Sequence, residues 1–384
     1  MRIFQAIHPT TNAAVSDSQT WLRNLYEPLI EMGHDVLLFS TVDGRRAMRQ
    51  RDKAAQAIFS QRMLDGFQRE HSKKPFDLFF AYLMDGMIEP GVIDEIRRSD
   101  VPTCNFSCNN THQFDLVDEL SPHFDYNLHS EKDTAEKFQA LGAHPVWFPM
   151  AANPKYYHPY DVPRTLDVTF VGQCYARRPY YIRHLLENSV NVQVFGPGWL
   201  LKPDKPLLRR PVRWARRSKL ALQTLVARSP QKRYGFSAQL AGGDLGECLR
   251  YKYAAHLHNP VSDDEMIRKY SESRISLGFL EVYDAHNPAA MVKQHLHLRE
   301  FEAPMSGALY FTGYCDELAE FYEPDKEVIV YRSEHELLDK ARYYLRHPAE
   351  AERVRQAGRQ RALRDHTYQK RVRDLFARLG ISGH

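Results

Sequence analysis

The sequence predicts an α/β protein of two domains in tandem, each a parallel sheet flanked by helices. Three observations carry this reading. The chain has 384 residues, about twice what one hydrophobic core supports. Short apolar runs alternate with amphipathic stretches from the first residue onward. That alternation starts afresh after a break rich in turn residues, NPKYYHPYDVP at 153–163.

The elements follow in order. Residues 1–7 (MRIFQAI) read as a buried strand, and 20–32 place Trp21, Leu25, Leu29 and Met32 on one helical stripe that Gly33 ends. Residues 35–40 (DVLLFS) form the next strand, closing a βαβ unit. A polar helix at 46–69, a strand at 77–82, a short helix at 91–98 and a strand at 102–106 continue the pattern. Residues 125–128 and 145–148 are strands around a helix at 130–141. This Rossmann-like half covers 1–157. The second half, 158–365, opens with a strand at 167–171, then Gly172, a helix rich in Arg and Tyr, and a strand at 192–195 running into Gly196-Pro197-Gly198. A last helix occupies 366–384.

Composition sets the class. Apolar residues make up 43%, charged residues 26% and aromatics 12%, the balance of a chain with a full core rather than a disordered one. The 52 basic and 48 acidic residues leave a net charge of +4, too near neutrality to announce nucleic-acid binding. No run reaches the roughly 18 apolar residues of a membrane span, and the start lacks a signal-like stretch, so the expectation is a cytoplasmic protein. Five scattered cysteines make no disulfide framework.

Several motifs are missing. There is no phosphate-binding G-x-x-x-x-G-K-[ST] loop, and Gly196-Pro197-Gly198 lacks the third glycine of a dinucleotide fingerprint. No Asp-x-Asp occurs to hold a cation against a diphosphate. Cys104, Cys108 and His112 are spaced by fours, yet CNFSCNN is a poor helix and no fourth ligand is evident. The C-terminal third is more informative: RKYSESRISLGF leads to HLHLREFEAPMSGALYFT, where Arg299 and Glu302 precede Pro304 and Gly307. A helix here brings its residues to the sheet edge where nucleotides bind.

The run R-x-F-E-A-x-x-x-G (Arg299 to Gly307), with YSESRISLGF before it and YCDELAEFYEPDKEVIVYRSEHELLDKARYYL after it, resembles the CgeB-like glycosyltransferases of the GT-B superfamily. The resemblance implies two Rossmann-like domains facing each other across a cleft, a nucleotide-sugar donor (UDP- or GDP-sugar) on the second and an acceptor on the first. It implies that Glu302 accepts hydrogen bonds from the donor ribose and that the Ser306-Gly307 turn approaches the diphosphate. The first Glu of the superfamily's E-x7-E signature falls on Gln294, a departure. Relatives carry basic residues after the first strand of this domain; here Gly172 is followed by QCYARR, which offers Arg177 and Arg178. Guanidinium groups match phosphate geometry, so no metal or other cofactor is expected.

Loops at strand ends in the first half hold the candidate bases for the acceptor. His112 is the first choice, since its ordinary pKa suits proton transfer at neutral pH, and Asp17 is second. A segment at about 200–235 carries eleven Lys and Arg between Lys202 and Arg233 against Asp204 alone. It reads as a solvated insertion, a peripheral contact with an anionic membrane, or a site for an acidic polymer. The acceptor is a glycan, a lipid-linked group or a protein. Rival readings are a non-catalytic nucleotide-sugar-binding or assembly protein and a nucleotide-sugar epimerase on the same fold.

Overall fold

The computed structural model describes residues 1–9, 18–200, 249–282 and 293–381. Asp17 and the basic segment at 202–233 therefore lie outside the described residues. The chain forms two compact units, Met1–Asn153 with His366–His384, and Pro154–Asp365.

In unit 1, six strands pair in parallel: β1 (Arg2–Ile7), β2 (Asp35–Ser40), β3 (Leu78–Ala81), β4 (Thr103–Ser107), β5 (Tyr126–His129) and β6 (Pro145–Trp147), in the order β2-β1-β3-β4-β5-β6. Strands β1, β3 and β4 are buried almost throughout, as a sheet covered on both faces requires. Phe4 stacks on Phe79 and meets Phe67 and Phe76 edge-on, which fixes one helical layer against the sheet. The expected helix at 46–69 is two helices, Val42–Gln50 and Lys53–Lys73. Arg51 takes a left-handed conformation between them, and Asp52 caps the second by accepting from the Ala55 N–H.

The last helix, Tyr368–Leu379, belongs to this unit. Ala152 exchanges backbone hydrogen bonds with His366 and Tyr368, whose ring is fully buried against Phe148. Gln369 donates to Glu31 at 2.6 Å, and Asn153 ties the same corner to Asn24 and Arg23.

Unit 2 holds β7 (Leu166–Val171), β8 (Val192–Phe195), β9 (Leu257–His258), β10 (Ser273–Leu277), β11 (Glu281–Val282), β12 (Lys293–Gln294), β13 (Tyr310–Gly313) and β14 (Ile329–Tyr331). Its main sheet is parallel and ordered β14-β13-β10-β7-β8-β9, while β11 and β12 form a small antiparallel pair. The strand order reverses between β7 and β10. Ligands of open α/β sheets settle at such a point, outside the carboxyl ends of the strands. The sequence reading closed the first half at 157, but Tyr157 is already a residue of unit 2 and wholly buried there.

Two glycines hold the carboxyl ends of β7 and β8 together. Gly196 has φ +153, and a Cβ on it would lie 2.1 Å from the Gly172 carbonyl oxygen. That same oxygen accepts the Trp199 indole N–H at 2.7 Å. Gly196→Ala should destabilise the protein by about 2 kcal/mol or more, lowering the thermal midpoint by roughly 5 °C. A midpoint within a degree of wild type would show that the two turns are not locked.

Candidate functional site

The reversal point in unit 2 is lined by the segments that leave β7 and β10. Gly172 follows β7, and the helix Arg178–Glu187 begins a few residues later with Arg177 as its N-cap. Gly278 follows β10. A Cβ there would fall 1.8 Å from the Tyr310 hydroxyl, and its carbonyl accepts the Tyr331 hydroxyl at 2.7 Å. No side chain fits at this position, so the main chain itself forms the wall.

Three arginines gather near this edge with different company. Arg299 opens the helix Arg299–Met305 and donates to Glu302 at 2.7 Å; Glu302 is 1% exposed whereas Arg299 is 37% exposed. Fully buried Tyr157 lies beside Glu302, and burial followed by that carboxylate pushes its phenol well up. Arg178 donates to the Gln173 carbonyl at 3.1 Å and lies over Phe170 and Tyr175. Burial first, then the charge of Arg299, lowers its pKa. Among the described residues no carboxylate pairs with Arg178. Arg177 instead meets Glu281 at 3.5 Å and lies over Tyr181. Burial raises the pKa of Glu281 against the pull of Arg177.

Of the remaining candidates, Gln294 stays next to this group, whereas Ser306 and Gly307 leave it. Gln294 is exposed on β12, in register with Glu281. Ser306 and Gly307 precede β13 and so sit at the amino edge of the sheet, opposite the end where Gly172 and Gly278 lie. The Ser306 hydroxyl is spent on the Glu302 carbonyl, and Gly307, at φ +75, packs against Pro159 and gives its carbonyl to Arg164. The expectation that this turn approaches a diphosphate is corrected: a helix after β12 starts at the carboxyl edge and ends at the amino edge, so only its first turn faces the crevice.

In unit 1, His112 lies in the short helix Asn110–Gln113, after the left-handed Asn109 at φ +64. The buried carboxylate of Glu131 fixes that turn, accepting from the N–H groups of Asn109 (2.8 Å) and Thr111 (3.2 Å) and from the Ser130 hydroxyl (2.6 Å). The Cys108 thiol sits 3.1 Å from the Tyr82 hydroxyl, and burial pushes it up to about 12, while Cys104 is buried within β4. The spaced Cys104, Cys108 and His112 thus do not share a helix face.

Sequence reasoning missed Glu300, Glu281 and Tyr157. The Glu300 carboxylate is fully buried and accepts from the Tyr310 hydroxyl (2.8 Å), the Thr312 hydroxyl (3.2 Å) and the His297 N–H (2.7 Å). It fastens the first turn of the helix carrying Arg299 and Glu302 to β13. Burial outweighs these hydrogen bonds and raises its pKa to about 7. The folded state therefore holds the proton more tightly than the unfolded chain does. Stability from this group is undiminished below the unfolded pKa near 4.5 and falls as pH rises toward about 7. In Glu300→Gln this slope should vanish from urea unfolding measured across pH 4.5–7; an identical slope in the variant would exclude Glu300 as its source.

The profile of a family described as glycosyl transferase-like matches residues 178–377. No curated protein matches the chain. Among solved structures, sucrose-phosphate synthase from Thermosynechococcus elongatus is 12% identical, with all of both chains covered and a TM-score of 0.60. A glycosyltransferase from Rickettsia africae is 10% identical over 99% of this chain and 98% of that one, at 0.57. HepE of Anabaena, solved in complex with UDP-glucose, is 9% identical over 99% of both chains, at 0.53. With more than half of its residues inside the family profile and two Rossmann-like units that match these structures, the chain belongs to the glycosyl transferase-like family and has the GT-B fold.

Proposed function

We propose that the protein is a glycosyltransferase that moves a sugar from a nucleotide-sugar donor to a glycan, lipid-linked or protein acceptor without a metal ion, and that it falls in the CgeB-like branch of its family. The observation that carries this is the pair of guanidinium groups, Arg178 and Arg299, at the strand reversal of unit 2. They lie near enough for Arg299 to depress the pKa of Arg178, and among the described residues Arg299 pairs with a carboxylate whereas Arg178 does not. Uncompensated buried positive charge is costly and suits an anionic ligand. Glu302, beside them, is the carboxylate for the ribose hydroxyls. HepE binds UDP-glucose, which supports UDP as the first base to test, with GDP second. No helix among the described residues is long and apolar enough to cross a membrane.

In this reading the acceptor oxygen attacks the anomeric carbon, the bond from that carbon to the phosphate oxygen breaks, and the nucleoside diphosphate leaves with the electron pair. Arg178 and Arg299, with Arg177 held by Glu281 behind them, stabilise the charge that grows on the leaving phosphate. The acceptor proton passes to His112 in unit 1, whose turn Glu131 holds in place. Unit 1 supplies acceptor recognition.

Incubation with a panel of UDP- and GDP-sugars, a chelator present, separates the rivals. Slow release of nucleotide supports the transferase, an epimerised sugar identifies an epimerase, and binding without chemistry identifies a binding protein. Glu302→Ala should weaken donor binding by about 1.5–3 kcal/mol, roughly 10- to 150-fold. An unchanged dissociation constant in the folded variant removes Glu302 from the site. Arg178→Gln should lower turnover by more than it weakens nucleoside binding, because the charge it meets develops in the transition state. Weaker binding with turnover unchanged would assign Arg178 to ground-state binding only.

A further inference from the structure

The sheet of unit 1 has its own strand reversal, between β1 and β3, and the helix Val42–Gln50 starts at that edge. Arg45 and Arg49 stand four residues apart on it, a like-charge spacing that costs a helix about 0.2–0.5 kcal/mol. The acid of the same helix does not relieve them. Asp43 is engaged by Arg62 at 2.8 Å and by Arg46 at 3.6 Å. The half-buried Arg45 has no carboxylate partner among the described residues, and its buried Nε has no hydrogen-bond partner there. Gly44 and Met48 turn the other way, toward Phe59 and Gly86.

Among the described residues, the groups that act on Arg45 bring it no negative charge near neutrality. It lies within electrostatic reach of Tyr82 and Cys108, the contacting pair at the ends of β3 and β4, and both stay protonated near neutrality because burial raises their pKa values. Glu131 influences Tyr82 and Cys108, but its oxygens are taken by the Asn109 and Thr111 N–H groups and by Ser130. His8, which follows β1, is held to about 4 by burial and then by Arg45 and Arg49, so it too is neutral. Two positive charges thus converge on a strand reversal with nothing in the described chain to meet them. An apolar residue at position 45 would be easier to bury.

We propose that this edge of unit 1 is a second anion site, in which Arg45 and Arg49 bind an oxyanion, a phosphate monoester or a carboxylate, beside His8 and Tyr82. A guanidinium offers paired donors for either group. If unit 1 receives the acceptor, which rests on the function proposed above, the acceptor is an acidic molecule rather than a neutral sugar.

Titration of the full chain with glucose 6-phosphate, glucuronate and inorganic phosphate, followed calorimetrically, tests the site. Wild type should bind glucose 6-phosphate or glucuronate saturably, and the tighter of the two identifies the oxyanion. Arg45→Gln and Arg49→Gln should each weaken that binding at least tenfold, Arg45→Lys less than Arg45→Gln, and Arg178→Gln not at all. Arg49 is exposed, so its variant reports even if Arg45→Gln does not fold. Absence of saturable binding in wild type, or affinities unchanged in folded Arg45→Gln and Arg49→Gln, overturns the site. Nucleoside diphosphate binding, measured on the same samples, judges the transferase reading separately: its loss in Arg178→Gln alone keeps the two conclusions independent.

Discussion

Arginine side chains that find no carboxylate partner among the described residues stand at the carboxyl edges of both sheets: Arg178 in unit 2 and Arg45 in unit 1. A parallel sheet sends all its strand ends to one side, and the loops there are freed from the packing that fills the interior. Into that position unit 2 places Arg178, lying over Phe170 and Tyr175 and donating to the Gln173 carbonyl. Unit 1 places Arg45 at its own strand reversal in the same way. Much of the surrounding structure fixes the edge of unit 2 where these groups stand. Gly278 and the Tyr331 hydroxyl wall the edge, Glu300 anchors the helix that carries Arg299, and Glu281 engages Arg177.

The carboxylates divide the labour by burial and by what they touch. Glu302 is closed off from solvent and engages Arg299, with the Tyr157 phenol beside it. Glu300, two residues earlier, faces the other way into β13 and is wholly occupied with three donors. One helical turn thus buries two acids, one paired with Arg299 and the other spent on its own foundation. Glu131 does the foundation's work in unit 1, where it sets the turn before His112.

The strands were legible because the alternation of apolar runs with helical stripes is a strong local signal: residues 35–40 and 192–195 are strands with the bounds the pattern gives. What the pattern hid is non-local. Strand β9 has two residues and shows no period, and the β11–β12 pair sits in what reads as a polar loop. The arginines and Glu302 stood out by type and by resemblance, whereas Glu300 looked like an ordinary helix acid until the Tyr310 and Thr312 hydroxyls were seen to converge on it. The Ser306-Gly307 turn was misread for a directional reason. Small residues mark where a chain can come close to something, and only the sense of the helix relative to the sheet says whether that something is a ligand or, as here, Pro159.

The return of the last helix to unit 1 bears on how the protein is made. Residues 1–153 leave the ribosome long before 366–384, yet Tyr368 fills unit 1 beside Phe148 and the chain pairs again at Ala152. Unit 2 is contiguous and can close as soon as Asp365 has emerged. Unit 1 must wait, one corner bare, until the helix Tyr368–Leu379 has emerged after all of unit 2, which leaves the nascent chain's first half incomplete while the second half is being added.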